Sequence, residues 1–380
     1  MDRTILHLDL DSFFVSVERL LNHELEGKPL LIGGTSGRSV VCSCSYEARR
    51  YGVHSAMPMK MALMLCPDAL VIRGDMELYS KYSNLVTEII AAKAPLYEKA
   101  SIDEHYIDIT GLDRFFGCLK WSQELRQGII RETGLPISFG LSVNKTVAKI
   151  ATGEAKPYGE LYVERPLVSG FLAPLSIRKI PMIGEKTYQV LREMGVDIIA
   201  ILREMPVELL QRLLGKNGTE IWRRANGIDC SPVVPYWDQK SISTERTFEQ
   251  DTMDVPMLSR LLVKMVEELS FELRSEQKLT SCVTVKVRYS NFDTFTSQKR
   301  IPYTSFDHVL INVVRELFQR LYQRRMMVRL IGVRLSGLVR GTQQLDLFED
   351  TPEDIHLYQA LDRIKKRYGK YAIGRAGAMG

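Results

Sequence analysis

Two runs of the sequence place acidic residues where strand patterning leads into a core. "HLDLDSFF" begins at His7, and "SIDEHYID" begins at Ser101. From Ile5 to Leu10, Leu6, Leu8 and Leu10 alternate with His7 and Asp9, the period of a strand. A carboxylate carried into a core is costly unless it is paired or bound to a metal. Whatever fold this chain adopts must therefore compensate Asp9, Asp103 and Glu104. Adjacent side chains on a regular strand point to opposite faces, so Asp103 and Glu104 share a site only where a strand begins or kinks. Taken singly, Asp11 with Ser12 reads as a helix N-cap, and Asp103 or Glu104 as an ion pair with a neighbour such as Lys99. Taken together, oxygen-bearing residues without a His or Cys cluster suit Mg²⁺ rather than zinc.

The surrounding pattern predicts an α+β fold with several structural units, as 380 residues exceed one compact core. Short strands are expected at "KPLLIGG" and "SVVCSC". Helices are expected at "SYEARRYGV", closed by Gly52, and from Pro58. A long helix from Asp75 to Ala94 stops at Pro95, and a hairpin spans "YEKASIDEHYIDITG". A helix from Leu119 to Thr133, the strand "PISFGLSV" and a helix stopped by Pro157 follow. Residues 165–235 read as almost wholly helical, and "VPYWDQKS" reads as a linker. Beyond it, a helix, a strand, a second helix and a second strand predict a small βα sandwich. A polar tail begins near Arg340 and carries one further helix.

No apolar run approaches the roughly 20 residues of a membrane span. "MDRTILHLDL" lacks a signal-peptide pattern, so a cytoplasmic protein without membrane contact is expected. The six cysteines read as buried, reduced thiols, since Cys42 and Cys44 lack the second pair of a zinc site. Charge is uneven. Residues 240–340 hold 17 Lys and Arg against 11 Asp and Glu, more than the whole net charge of +5, as expected of a surface that meets phosphates.

"SYEARRYGV" supplies Tyr46, Arg49 and Arg50, and the distant "AKPYG" supplies Lys156. A guanidinium fork and a compact ammonium are phosphate-binding groups. Facing carboxylate-held metals, they point to phosphoryl or nucleotidyl transfer.

"HLDLDSFFVSVE", "YEARRYGVHSAMP", "SIDEHYIDITG" and "GLSVNKTVAKIATGEAKPYG" resemble, in order and spacing, the motifs of Y-family DNA polymerases, the translesion enzymes. The resemblance extends from about Thr4 to Val339. It implies a multidomain right-hand polymerase with palm (1–10 and 75–164), small fingers (11–74), a helical thumb (165–235), a linker (236–240) and a βα-sandwich little finger (241–340). It implies DNA-directed DNA synthesis by two-metal transfer of dNTPs to a primer 3′-OH. Asp9, Asp103 and Glu104 would be catalytic and would hold two Mg²⁺ ions with the Leu10 carbonyl, Mn²⁺ being able to substitute. Phe13, Phe14, Tyr46, Arg49 and Lys156 would meet the nucleotide, with Phe14 as the steric gate against a ribose 2′-OH and Cys42 roofing the nascent base pair. His105 departs from the small or apolar residue more usual after the acidic pair.

"IPMIGEKTYQVLREMGV" resembles the thumb's helix-hairpin-helix, implying DNA contact at Ile183, Gly184 and Lys186, with Met182 in place of the first glycine of a P-G-I-G turn. Lys286, Arg288, Lys299, Arg300, Arg329 and Arg334 are the little-finger candidates for phosphate contact. "QQLDLF" resembles a peptide that docks on the bacterial sliding clamp, through Gln344, Leu345, Asp346, Leu347 and Phe348. The implied partners are primer–template DNA, dNTPs and the clamp, bound by a monomer. A non-catalytic scaffold would have lost the acids, and a nucleotide cyclase has no use for a basic C-terminal unit.

Overall fold

The computed structural model describes residues 3–114, 117–236, 238–323, 325–341 and 351–375. The chain forms two compact units, Met1–Trp237 and Asp238–Gly380.

The first unit is organised by β1 (Ile5–Leu10), whose Ile5, Leu6, Leu8 and Leu10 are all buried. α1 (Phe13–Leu21) follows directly. Next come β2 (Leu30–Gly33), β3 (Val41–Cys44), α2 (Tyr46–Arg49), α3 (Met59–Leu65) and β4 (Leu70–Ile72). The three strands form a small sheet in the order β3-β2-β4. β4 went unforeseen, because "LVI" is only three residues and partly exposed. The expected closure at Gly52 falls three residues beyond the end of α2.

α4 (Met76–Lys93) begins where Asp75 accepts hydrogen bonds from the Glu77 and Leu78 amides, and Pro95 follows its end. β5 (Tyr97–Lys99) and β6 (Glu104–Asp108) form the hairpin. α5 (Cys118–Thr133), β7 (Ile137–Ser142), α6 (Lys145–Ala155) and β8 (Glu160–Tyr162) complete a five-stranded sheet in the order β5-β6-β1-β7-β8. Leu6, Leu8 and Leu10 share one core with Val86 and Ile90 of α4 and Ile129 of α5. On α6, Thr152 hydrogen-bonds His7, whose side chain alternates with those leucines. Gly140 permits this approach: a Cβ there would lie 2.2 Å from the Ala148 carbonyl oxygen.

Residues 165–225 carry five short helices joined by turns, α7 (Val168–Leu172), α8 (Glu185–Glu193), α9 (Ile199–Glu204), α10 (Val207–Leu214) and α11 (Lys216–Ala225), whereas residues 228–235, also expected to be helical, are not. They bury Leu172, Leu191, Leu202, Leu210 and Ile221 together.

The second unit contains β9 (Ser241–Thr252), α12 (Val255–Ser275), β10 (Lys278–Tyr289), β11 (Thr294–Thr304), α13 (Asp307–Leu321), β12 (Val328–Ser336) and β13 (Val339–Arg340). Its main sheet runs β11-β10-β12-β9, with the inward faces of β10 and β12 buried against α12 and α13. The sequence pattern predicts two strands here and does not reveal β9 and β11. Both are edge strands whose outward residues are polar, so their apolar alternation is weak. The tail is not a separate appendage. α14 (Thr351–Tyr368) packs on this unit through Tyr358, 2% exposed, whose ring stacks on Phe306 at 5.3 Å. The Arg274 guanidinium forks onto Asp362 at 2.8 and 2.9 Å.

The cysteines correct one expectation: all six are free, but Cys42 and Cys230 are exposed. Among the described residues no helix is long and apolar enough to cross a membrane.

Candidate active site

Asp9 on β1 stands directly opposite Glu104 on β6 in the antiparallel register, so their side chains leave the same face of the sheet. β6 begins at Glu104, and the Leu10 amide donates to the Asp103 carbonyl at 3.0 Å, which places Asp103 beside the pair in the preceding bend. Ser101 holds that bend: its hydroxyl donates to Asp103 Oδ1 at 2.5 Å and accepts from the Glu104 amide at 3.1 Å. The strand thus starts where the two neighbouring acids need it to start.

The compensating charges come from α6 and its C-cap. Lys149 Nζ contacts both Glu104 oxygens at 2.6 and 2.5 Å, and Lys156 Nζ contacts Asp9 Oδ1 at 2.5 Å. Lys99, the expected partner, bonds Asn84 instead. Burial raises the Asp9 carboxyl to about 7, against the pull of Lys156 and with a further push from the charges of Glu104 and Asp103. Burial also works against charged Glu104, but its contacts with His7 and Lys149 outweigh that and hold it below its ordinary range. Lys149 dominates: His7 Nε2 lies 3.8 Å away, beyond hydrogen-bond reach, and burial lowers the ring to about 4, leaving it neutral. Among the described residues, no three Asp, Glu, His or Cys side chains converge closely enough to hold a metal ion.

Around this cluster, Phe14 and Phe13 part company. The Phe13 side chain is core, 3% exposed, so any nucleotide contact at this position falls to its backbone. Phe14 is half-buried and stacks on Tyr79 at 4.3 Å with the rings 11° apart, and the Tyr79 hydroxyl donates to Glu18 at 2.5 Å. Cys42 lies exposed on β3. Arg49 is exposed, its guanidinium 4.8 Å from the Tyr46 ring centroid, while Tyr46 donates its hydroxyl proton to Asp11 at 3.2 Å. Asp11 is not the helix cap expected of it. Ser12 occupies the cap in left-handed backbone without a side-chain bond, and the Asp11 carboxylate turns inward.

The impB/mucB/samB family model matches residues 8–153, and the model of that family's C-terminal domain matches residues 239–347. DNA polymerase IV of Dehalococcoides mccartyi strain BAV1 is 36% identical over 377 residues, 97% of this chain and 95% of its own length. DNA polymerase IV of Methanoculleus marisnigri is 38% identical over 352 residues, 91% of this chain and 98% of its own. A solved Y-family DNA polymerase chimera of Dbh and Dpo4 superposes with a TM-score of 0.79 at 27% identity, covering 89% of this chain and all of that one. The chain belongs to the Y family of DNA polymerases. As a Y-family polymerase it is a DNA-directed DNA polymerase of the translesion type, and enzymes of this family are metal-dependent.

The remaining residues expected of a Y-family polymerase divide by position. Ile183 is 9% exposed and packs in the helical core, its amide donating to the Ile180 carbonyl at 3.2 Å; Gly184 caps α8, and Lys186 is exposed in the first turn. Met182 holds left-handed backbone at φ 82°. In the second unit Lys286, Arg288, Arg300 and Arg334 lie on the sheet face away from the helices, by alternation with buried Val285, Val287 and Leu335. Lys299 is on the other face, paired with Glu316 of α13 at 2.6 Å. Arg329 sits at the register shift in β12, over the Phe292 ring at 4.4 Å. The clamp-like residues Gln344 to Phe348 fall outside the described residues.

Lys149, Ser101 and Tyr79 escaped the sequence reading. Lys149 had a usable signal: it lies seven residues before Lys156, two helical turns along one face of α6. Ser101 acts only two and three residues along the chain, as a serine-initiated turn, whereas Tyr79 acts across the fold on Glu18 and Phe14 and no local pattern marks it.

Proposed function

We propose that this polymerase extends a primer past damaged template bases by two-metal nucleotidyl transfer, with Asp9, Asp103, Glu104 and the Leu10 carbonyl holding two Mg²⁺ ions, for which Mn²⁺ can substitute. The observation that carries this reading is the opposition of Asp9 and Glu104 across β1 and β6 with Asp103 alongside. The donor set is all oxygen, and burial, with a smaller push from Glu104 and Asp103, leaves Asp9 hard to ionise. Both properties fit a hard divalent cation, which would take over the charge now balanced by Lys149 and Lys156. Bound ions would lower the pKa of the primer hydroxyl and neutralise the departing pyrophosphate.

The chain's own residues would do the rest. Arg49, Lys156 and Tyr46 would bind the triphosphate, and freeing Lys156 from Asp9 would supply the ammonium. Phe14, backed by Tyr79, would leave no room for a 2′-OH. Cys42 would cover the nascent base pair. The backbone at Ile183 and Gly184, with Lys186, and the open face carrying Lys286, Arg288, Arg300 and Arg334 would track DNA phosphates without reading sequence. In this reading residues 1–10 and 75–164 are the palm, 11–74 the fingers, 165–235 the thumb and 241–340 the little finger. The protein would act in the cytoplasm as a monomer that meets the sliding clamp through Gln344 to Phe348.

Primer extension decides the central point. Asp103→Ala and Glu104→Ala are expected to abolish dNTP incorporation while primer–template affinity, read by fluorescence anisotropy, stays within about twofold. Normal extension by either variant would overturn the metal assignment.

A further inference from the structure

We infer that Asp11 is a positioning residue for the incoming nucleotide, a buried carboxylate that sets the placement of Tyr46 relative to Lys156. The inference rests on the reading of those two side chains as triphosphate contacts. Asp11 is only 2% exposed, and burial of a carboxylate demands several donors. It has them, from three separate segments. Ser138 Oγ on β7 and the Tyr158 amide both donate to Oδ2 at 2.8 Å, and the Tyr46 hydroxyl on α2 donates to Oδ1 at 3.2 Å. Lys156 Nζ approaches the same Oδ1 at 3.9 Å. The Asp11 backbone is pinned too, its amide donating to the Pro136 carbonyl at 2.9 Å.

The two oxygens therefore have different work. Oδ2 is fixed by two donors of the five-stranded sheet and the turn after α6, which makes Asp11 a rigid post. Oδ1 faces the two cradle groups, one from α2 and one from the end of α6, which no other described hydrogen bond joins. Removing the negative oxygen leaves the phenol of Tyr46 without its acceptor and Lys156 with the Asp9 carboxylate alone close by. The defect should appear in nucleotide binding, since Asp11 reaches neither Asp103 nor Glu104 by any described hydrogen bond.

Asp11→Asn is nearly isosteric. Its amide oxygen would stay with Ser138 and the Tyr158 amide, which turns the NH₂ group toward the Tyr46 oxygen and reverses that hydrogen bond. Steady-state primer extension by Asp11→Asn, Tyr46→Phe and the double variant tests the inference. The dNTP KM should rise roughly tenfold in Asp11→Asn, the worth of one hydrogen bond to a charged group, with kcat and DNA affinity nearly unchanged. The double variant should be no worse than the worse single one, because both remove the same contact. Multiplying KM effects, or an unchanged KM in Asp11→Asn, would overturn the positioning role. Should Asp11→Asn lose its cooperative melt, Ser138→Ala carries the test: it removes one donor from the post and should raise the dNTP KM by a smaller factor, an unchanged value being the overturning result. An unchanged KM in both Tyr46→Phe and Lys156→Ala would instead refute the reading of those two as triphosphate contacts.

Discussion

Asp9 and Glu104 face each other across two strands, yet each carboxylate is held by a different lysine of one helical segment, Lys156 for Asp9 and Lys149 for Glu104. The pairing stabilises the protein without metal and must yield when a divalent cation enters. Lys149→Met is therefore expected to lower stability in EDTA by about 1 kcal/mol, a modest figure because both groups are partly solvated. Saturating Mg²⁺ should shrink that loss, because the ion then serves Glu104. Thermal melts of both proteins with and without Mg²⁺ give the answer; a loss identical in the two conditions would separate Lys149 from the metal.

Phe14 lies flat on Tyr79, whose hydroxyl is tied to Glu18. A ring so backed cannot retreat from a ribose. Phe14→Ala should raise the efficiency of ribonucleotide incorporation by at least about tenfold relative to dNTPs, more than 1.4 kcal/mol of lost discrimination. Competition between dCTP and CTP opposite template dG measures it, and unchanged sugar discrimination would remove Phe14 from that role.

Met182 adopts a φ of 82°, a conformation in which a Cβ is strained. Met182→Gly should raise stability by about 1 kcal/mol, the released strain being partly offset by the flexibility of glycine in the unfolded chain. Thermal or urea denaturation of the full chain would show it. A drop in stability would mean that the exposed methionine side chain makes a contact worth more than the strain.

Two histidines are buried neutral. Burial lowers His7 to about 4 and His105 to about 3, and His105 Nε2 lies 3.0 Å from Thr87 Oγ1. Below the unfolded value of roughly 6.5 the unfolded chain takes up protons that the folded chain refuses, so stability falls as pH drops from about 6.5 toward 4. His7 alone accounts for a loss on the order of 3 kcal/mol across that window. Melting temperatures in EDTA between pH 7.5 and 5 should decline, and His105→Val should flatten the decline. An equal slope in the variant would show that His105 titrates in the fold as it does in the open chain.

On the open face of the second unit, Glu245 neutralises Lys286 at 2.9 and 3.0 Å. Glu245→Gln should tighten primer–template binding several-fold at low salt and steepen the salt dependence by about one unit of slope. Anisotropy titrations across a salt series check this, and an unchanged slope would place DNA elsewhere on the unit.

How much of this was legible in the residues depends on where the determining contacts lie. The alternation of Leu6, Leu8 and Leu10 with Asp9, and the acids at the start of β6, were readable because local period and spacing carry them. The start of α4 at Asp75 was readable because capping is local chemistry. Asp11 misled for the same reason. Its type and place fit a cap, but Ser138, Tyr46 and Tyr158 offered donors that only the fold brings near. β9 and β11 were illegible because an open sheet face leaves their outward residues polar. Phe13 and Phe14 are neighbours with opposite fates, and only the position of Tyr79 assigns them.

The N-terminal end of α6 is gripped from the far side of the helical region: Asp229 accepts from the Thr146 amide and hydroxyl at 3.1 and 2.7 Å, and Asn144 donates to the Gly227 carbonyl at 2.7 Å. Because Lys149 rides on the same helix and Lys156 closes it, that helix works as a yoke. A shift of the chain leaving α11 would therefore be felt by both ammonium groups at once.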